Sequence, residues 1–205
     1  FVSLEAGEYV LTLIERGPLA DLPFVLALLQ RLHAAGLPVP YAVATQDGQV
    51  LRQLADKPAL LQPRLPGKHI SQPNAHHCSE VGHLLARLHL STREQILERH
   101  SDRGLDWMLR EGPLQALHLH DEQLPLLRDR LAEVAAQQAH ILTLPRANLH
   151  GDLFRDNLMF DGPHLSGVID FYNACSGPML YDVAICINDW CSERNGRLNL
   201  SRARA

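Results

Sequence analysis

The side chains best suited to chemistry lie between residues 148 and 173. Asn148-Leu149-His150-Gly151-Asp152-Leu153-Phe154-Arg155-Asp156-Asn157 is followed by Gly167-Val168-Ile169-Asp170-Phe171, so H-G-D-x-x-x-x-N precedes an apolar strand ending in I-D-F. Between them Asp161-Gly162-Pro163 has turn chemistry and predicts a hairpin of Asn157–Phe160 with Leu165–Ile169. If both loops emerge on one face of that unit, oxygens of Asp152, Asn157 and Asp170 converge. Such a set suits phosphoryl transfer, where catalysis is mostly positioning and charge neutralisation by hard oxygen ligands around magnesium. Asp152 is then expected to orient and deprotonate an attacking hydroxyl. Asn157 and Asp170 are expected to hold the Mg2+ that bridges the phosphates of ATP. Asp and Asn in loops ordinarily cap helices or close turns; the ordered match at several fixed positions, in strand context, favours the chemical reading. His150 is grouped with Asp152 as a catalytic-loop residue, better suited to bracing the loop than to carrying a proton.

The elements that must position this segment follow from the rest of the chain. Phe1–Leu4 and Tyr9–Ile14 read as a hairpin around Glu5-Ala6-Gly7-Glu8. A helix is predicted from about Asp21 to Ala35, capped by Asp21, with Pro23 in its first turn and Gly36 at its end. Its Phe24, Val25, Leu28, Leu29 and Leu32 form an apolar stripe. Strands are predicted at Tyr41–Thr45, Val50–Leu54 and Ala59–Gln62, with Asp47-Gly48 as a turn. Gln62-Pro63-Arg64-Leu65-Pro66-Gly67 breaks the pattern. Helices are predicted beyond it at 74–97, 105–110, 122–142 and 179–191. The expected architecture is α+β: a β-rich lobe over 1–62, a hinge at 63–67 and a larger helical lobe over 68–205.

Composition narrows the function. The chain has 205 residues, 46% hydrophobic side chains and a formal net charge of −4, which gives no electrostatic case for a nucleic-acid or anionic-membrane partner. No run of residues is long and apolar enough for a membrane span. The four cysteines, Cys78, Cys175, Cys186 and Cys191, include no C-x-x-C pair and fit a reducing, cytoplasmic compartment. Twelve histidines include no convincing zinc spacing at His76-His77, His83 and His89, or His118 and His120. The opening at Phe1 and the helical pattern still running at Ser201–Ala205 read as an excerpt of a longer chain, with strands expected before it and helices after it.

The motif resembles the catalytic loop of the aminoglycoside-phosphotransferase and choline-kinase superfamily, which is similar to protein kinases in fold. Leu180-Tyr181-Asp182-Val183-Ala184 resembles that family's Y-D-h-A segment, which implies that Asp182 is a buried structural brace for the catalytic loop. Leu61–Gly67 resembles its hinge, which implies adenine reading by main-chain groups. Because Pro63 has no N–H, the Gln62 carbonyl and the Arg64 amide are the expected pair. Ile169-Asp170-Phe171-Tyr172-Asn173-Ala174-Cys175, Asp21-Leu22-Pro23-Phe24, Gly36-Leu37-Pro38-Val39-Pro40, Asn74-Ala75-His76-His77-Cys78 and Asn188-Asp189-Trp190-Cys191 are similar to the homoserine kinase branch. That resemblance implies a small-molecule substrate, L-homoserine, phosphorylated on its side-chain hydroxyl in threonine biosynthesis.

One departure bears on mechanism. Kinase-like folds pair a strand Lys with a helix Glu to clamp the nucleotide phosphates. Thr12 stands at the expected Lys position, and the following helix, Leu22–Ala35, contains no Glu. Loss of both partners is coherent, since either alone would be an unpaired buried charge. Arg16, Lys57, Lys68 or the metal are left as substitutes. For the acceptor pocket the candidates are Arg155, Tyr172, Asn188 and Trp190. Two alternatives remain open: a kinase acting on choline, an aminoglycoside or another hydroxyl, and a nucleotide-binding pseudokinase. A choline cage is disfavoured by 5% aromatic content.

Overall fold

A computed structural model describes residues 1–15 and 19–205, so Arg16 lies outside the described residues. Strand β1 (Val2–Leu4) and β2 (Gly7–Leu13) form the first hairpin, with Val2 opposite Tyr9. Strand β2 also pairs with β4 (Lys57–Pro63), which carries β3 (Arg52–Leu54) on its other edge, giving the order β1-β2-β4-β3. The β3–β4 turn is Ala55-Asp56, both with left-handed backbone, φ 50° and 59°, as a two-residue hairpin turn matching strand twist requires.

The strand expected at Tyr41–Thr45 does not form. Pro38 and Pro40 have no N–H, and Val39 and Tyr41 donate locally, to the Leu37 and Val39 carbonyls at 2.9 and 3.1 Å. Only Val43 reaches the sheet, donating to the Leu61 carbonyl at 2.8 Å.

Helix α1 (Leu22–Ala34) forms where its apolar stripe predicts, with Val25, Leu28, Leu29 and Leu32 buried. Asp21 precedes it but makes no side-chain cap: a 3-10 turn over Leu19–Asp21 gives it helical backbone, and its carboxylate is drawn to Arg99 instead. Helix α2 (Ala75–Thr92) starts with a reciprocal box, in which Asn74 Oδ1 accepts from the His77 amide and His77 Nδ1 from the Asn74 amide. It stops short of the predicted Leu97 because the buried Asn148 side chain holds both the Leu97 N–H (3.0 Å) and carbonyl (2.6 Å) out of the helix.

Helices α3 (Leu105–Gln115) and α4 (Leu124–Ile141) pair with each other, Gly112 lying so close to Leu131 that a Cβ would meet its side chain at 2.6 Å. Then follow β5 (Arg146–Leu149), β6 (Leu158–Asp161), β7 (His164–Val168) and β8 (Cys175–Pro178). They pair as β5 with β8 and β6 with β7, the latter being the hairpin that the Asp161-Gly162-Pro163 turn predicts. Helices α5 (Leu180–Trp190) and α6 (Leu200–Arg204) complete the chain. Among the described residues no helix is long and apolar enough to cross a membrane.

One hydrophobic core runs from α1 through α2 to the underside of the β6–β7 hairpin, joining Leu28, Leu32, Leu88, Leu153, Val168 and Trp190. Cys78, Cys186 and Cys191 are free thiols in that core. A smaller cluster of Ile14, Leu22 and Leu60 lies beneath the sheet. Leu88 is fully buried and Leu90, on the opposite face of α2, is 56% exposed. Leu88→Ala is therefore expected to destabilise the protein by about 2–5 kcal/mol, and Leu90→Ala by no more than about 0.5 kcal/mol, read from denaturant midpoints.

Candidate active site

Strand β5 delivers the chain to His150 and Gly151, and the buried carboxylate of Asp182 on α5 holds both. Its Oδ2 accepts from the His150 amide at 2.9 Å and from His89 Nε2 on α2 at 3.0 Å; its Oδ1 accepts from the Gly151 amide at 2.8 Å. Asp182 is fully buried, so these three donors replace the water it has lost. Gly151 has φ 76°, and a Cβ there would meet the Asn173 carbonyl at 2.5 Å. Only glycine fits that approach.

His150 is also fully buried. Its Nδ1 accepts from the Asp152 amide (3.2 Å), so Nε2 carries the proton and donates to the Ile169 carbonyl at 2.9 Å. Burial pushes its pKa below the ordinary histidine range, against the raising influence of Asp182. Both ring nitrogens being committed to backbone, His150 locks the Asp152 loop to the Asp170 strand.

Asp152 is half-buried. Its Oδ2 accepts from Asn173 Nδ2 at 2.9 Å, while its main-chain carbonyl accepts from Asn157 Nδ2 at 2.7 Å. That second bond turns the Asn157 amide so that its Oδ1 has no hydrogen-bond partner among the described residues. The Asn157 carbonyl accepts the Ile169 amide at 3.0 Å, and the next residue, Asp170, has left-handed backbone, φ 64° and ψ 67°. Asp152, Asn157 and Asp170 thereby line one open cavity of about 670 Å³.

Arg155 lines the same cavity, and Asp189 does too. The guanidinium grips Asp189 through Nε and Nη2, both at 3.1 Å, and its Nη1 donates to the Ser71 carbonyl. His69, Ile70 and Ser71 also line the cavity. They are brought there by Gly67 (φ 101°), whose missing side chain lets Lys68 bridge to Phe160 through two main-chain bonds of 2.8 and 2.9 Å. Neither Lys57, which pairs with Glu15, nor Lys68 lines the cavity.

Trp190 is buried, its Nε1 donating to the Leu153 carbonyl at 3.1 Å, and so packs behind the loop instead of lining a pocket. Asn188 is exposed and does not line the cavity, while its neighbour Asp189 does; Tyr172 does not line it either, and partial burial of its ring, then the nearby Asp170, raise its phenol pKa. Helical spacing carried that signal, since Asp189 lies seven residues after Asp182, two turns along the same face. At the hinge, the Arg64 amide is not free: it continues the sheet by donating to the Glu8 carbonyl at 3.0 Å. Gln62 faces Val10 in the same register, and its side-chain amide bonds the Pro40 carbonyl. In that register the Pro63 carbonyl is turned away from β2.

A brace between a two-strand unit and a helix, a loop carrying Asp and Asn, and a second carboxylate one strand away are the parts of a kinase-like phosphotransferase site. The chain belongs to the phosphotransferase enzyme family, whose pattern it matches over residues 1–205. It is 64% identical over 205 residues to the homoserine kinase of Pseudomonas aeruginosa (strain PAO1). It is 42% identical over 209 aligned residues to that of Polaromonas naphthalenivorans (strain CJ2). All of this chain is covered in both matches, and it spans 65% and 66% of the two relatives. Among solved structures, an amicoumacin kinase in complex with AMP-PNP, Ca2+ and amicoumacin superposes with a TM-score of 0.68 at 18% identity, covering 90% of this chain and 58% of that one. An aminoglycoside phosphotransferase from Alicyclobacillus acidocaldarius gives 0.65 at 19% identity, covering 89% and 62%. The fold is therefore the kinase-like one.

Removing the Asp182 carboxylate would leave His89 and two loop amides buried without an acceptor, so Asp182→Ala is expected to cost about 3–5 kcal/mol, measured by chemical denaturation. His150 gives a pH dependence of known sign. Its folded pKa is depressed from 6.5, so below that value only the unfolded chain takes up the proton and stability falls with pH. His150→Gln should lose less stability on acidification than the unaltered protein.

Proposed function

We propose that this chain carries the catalytic centre of a homoserine kinase, transferring the γ-phosphoryl group of ATP to the side-chain hydroxyl of L-homoserine. The observation that carries the reading is the convergence of Asp152, Asn157 and Asp170 on one open cavity. The acceptor rests on the names of relatives such as the two above, which this chain matches along its whole length.

The cavity also argues for a metal. Its lining includes four carboxylates, Asp152, Asp156, Asp170 and Asp189, against one guanidinium already paired with Asp189. Such a wall repels a bare triphosphate and attracts a divalent cation. No three His, Cys, Asp or Glu side chains among the described residues are grouped to hold a metal alone. Asn157 Oδ1 and the Asp170 carboxylate, both without hydrogen-bond partners among the described residues, would supply the pair of hard oxygens expected for magnesium, which keeps waters and nucleotide oxygens as its other ligands. When bound, that ion would neutralise charge on the transferring phosphoryl group.

The chain's own residues then divide the work. Asp152 has one oxygen fixed by Asn173, leaving the other to accept the hydroxyl proton of the acceptor. Arg155 keeps two of its N–H groups beyond those given to Asp189 and Ser71, and these suit the acceptor carboxylate. The Pro63 carbonyl and Leu65 amide are the groups available to read adenine. A cytoplasmic setting accords with four free thiols.

ADP release by the full-length enzyme should be supported by homoserine and not by choline or aminoglycosides. Nucleotide binding without turnover on any acceptor would instead favour a pseudokinase, the reading to which Thr12 alone points. Asp152→Ala is expected to lower kcat by ~10²–10⁴-fold with little change in ATP affinity; a loss under tenfold would remove Asp152 from the role of base.

A further inference from the structure

Arg99 lies in the irregular segment between α2 and α3, and its side chain is only 13% exposed. Its guanidinium makes contacts in two directions. Nη1 donates to the carbonyls of Tyr172 and Ala174, at 2.8 and 2.5 Å, in the turn that follows Asp170. Nη2 donates to Asp21 Oδ2 at 2.7 Å, at the start of α1. The ring of Phe24, on the first turn of α1, packs 5.6 Å from the guanidinium carbon. The main chain of Arg99 is itself fixed: its carbonyl accepts the Ser176 amide at 2.8 Å, and its amide donates to Ser176 Oγ at 3.3 Å.

Asp170 needs such support. Its left-handed backbone is a conformation that a non-glycine residue holds only when its surroundings impose it. On the N-terminal side the Ile169 amide and carbonyl are tied to Asn157 and His150. On the C-terminal side the tie is Arg99. The customary link between sheet and helix is absent, because Thr12 and a Glu-free α1 cannot form it. Asp21 and Arg99 supply a link from α1 that bypasses the sheet and ends on the Asp170 turn.

We propose that Arg99, held by Asp21, is a positioning residue for the Asp170 carboxylate and couples the placement of α1 to metal binding. This rests on the reading of Asp170 as a metal ligand. A planar fork is required, since one group must serve two carbonyls and a carboxylate at once; an ammonium cannot reproduce that geometry.

The test uses the full-length enzyme, Mn2+ and a non-hydrolysable ATP analogue, with bound Mn2+ followed by electron paramagnetic resonance. Asp170→Asn serves as the control. Asp21→Asn, isosteric and at a site one-third exposed, guards against a failure of Arg99 variants to fold. Asp21→Asn and Arg99→Lys should each weaken Mn2+ binding by about tenfold, as supporting residues of a metal site do. In the metal-free protein, amide exchange at residues 172–174 should quicken. Unchanged Mn2+ affinity in both variants, with a lowered melting temperature, would overturn the proposal and leave Arg99 a structural tie alone, provided Asp170→Asn does weaken binding. If Asp170→Asn also binds Mn2+ normally, the metal-ligand reading falls and this inference falls with it.

Discussion

Everything at the centre of this protein depends on the buried carboxylate of Asp182. A charge so far from water is tolerated only where hydrogen bonds replace its hydration, and here the replacements are two consecutive main-chain amides, of His150 and Gly151, and a histidine from another helix. The cost of burying the charge is thus offset by fixing the loop. Gly151 can lie against the Asn173 carbonyl, and His150 can reach the Ile169 carbonyl, because the loop's path is already set from beneath.

The same logic extends outward by amide and carbonyl groups more than by ion pairs. Asn148 fixes the end of α2, Asn157 fixes the loop carbonyl of Asp152, and Asn173 fixes its carboxylate. Side-chain amides hold these positions without adding charge to a cavity that already has an excess of carboxylates. Neutral orienting groups leave the field of the aspartates intact for a cation, while the charge of the guanidinium on the wall is balanced by Asp189. Electrostatics and geometry are in this way assigned to different residue types.

The reading of the fold from sequence succeeded where a single periodicity or turn signal decided the outcome. The stripe on α1, the turn at Gly162 and the apolar strand before Asp170 are local properties, and each element formed where its own residues dictated. It failed where long-range hydrogen bonds overrode local preference. Asp21 has cap chemistry but is claimed by Arg99, 78 residues away. The helical pattern to Leu97 is cut by Asn148, and Tyr41–Thr45 has strand-forming residues but follows two prolines and bonds that close locally, so that Val43 alone reaches the sheet. The site was legible as a motif at Asp152, Asn157 and Asp170. Its further wall was not, because His69 and Ser71 reach the cavity only through the close approach of Gly67 to Phe160, which no spacing announces. At residues 63–67 the direction of the main-chain groups was not legible either, because pairing of β4 with β2 sets it and takes up the Arg64 amide.

The buried thiols have a consequence for how the molecule could be watched. Cys78 on α2, Cys186 within α5 and Cys191 just after it all have their pKa raised by burial, Cys78 to about 11. Alkylating reagents attack thiolates, so the folded protein offers them almost nothing at neutral pH. These sulfurs sit at the seam between the helix that carries His89 and the helix that carries Asp182. Labelling there would mark the moments when the two helices part, making the cysteines a built-in clock for the opening of the catalytic loop's foundation.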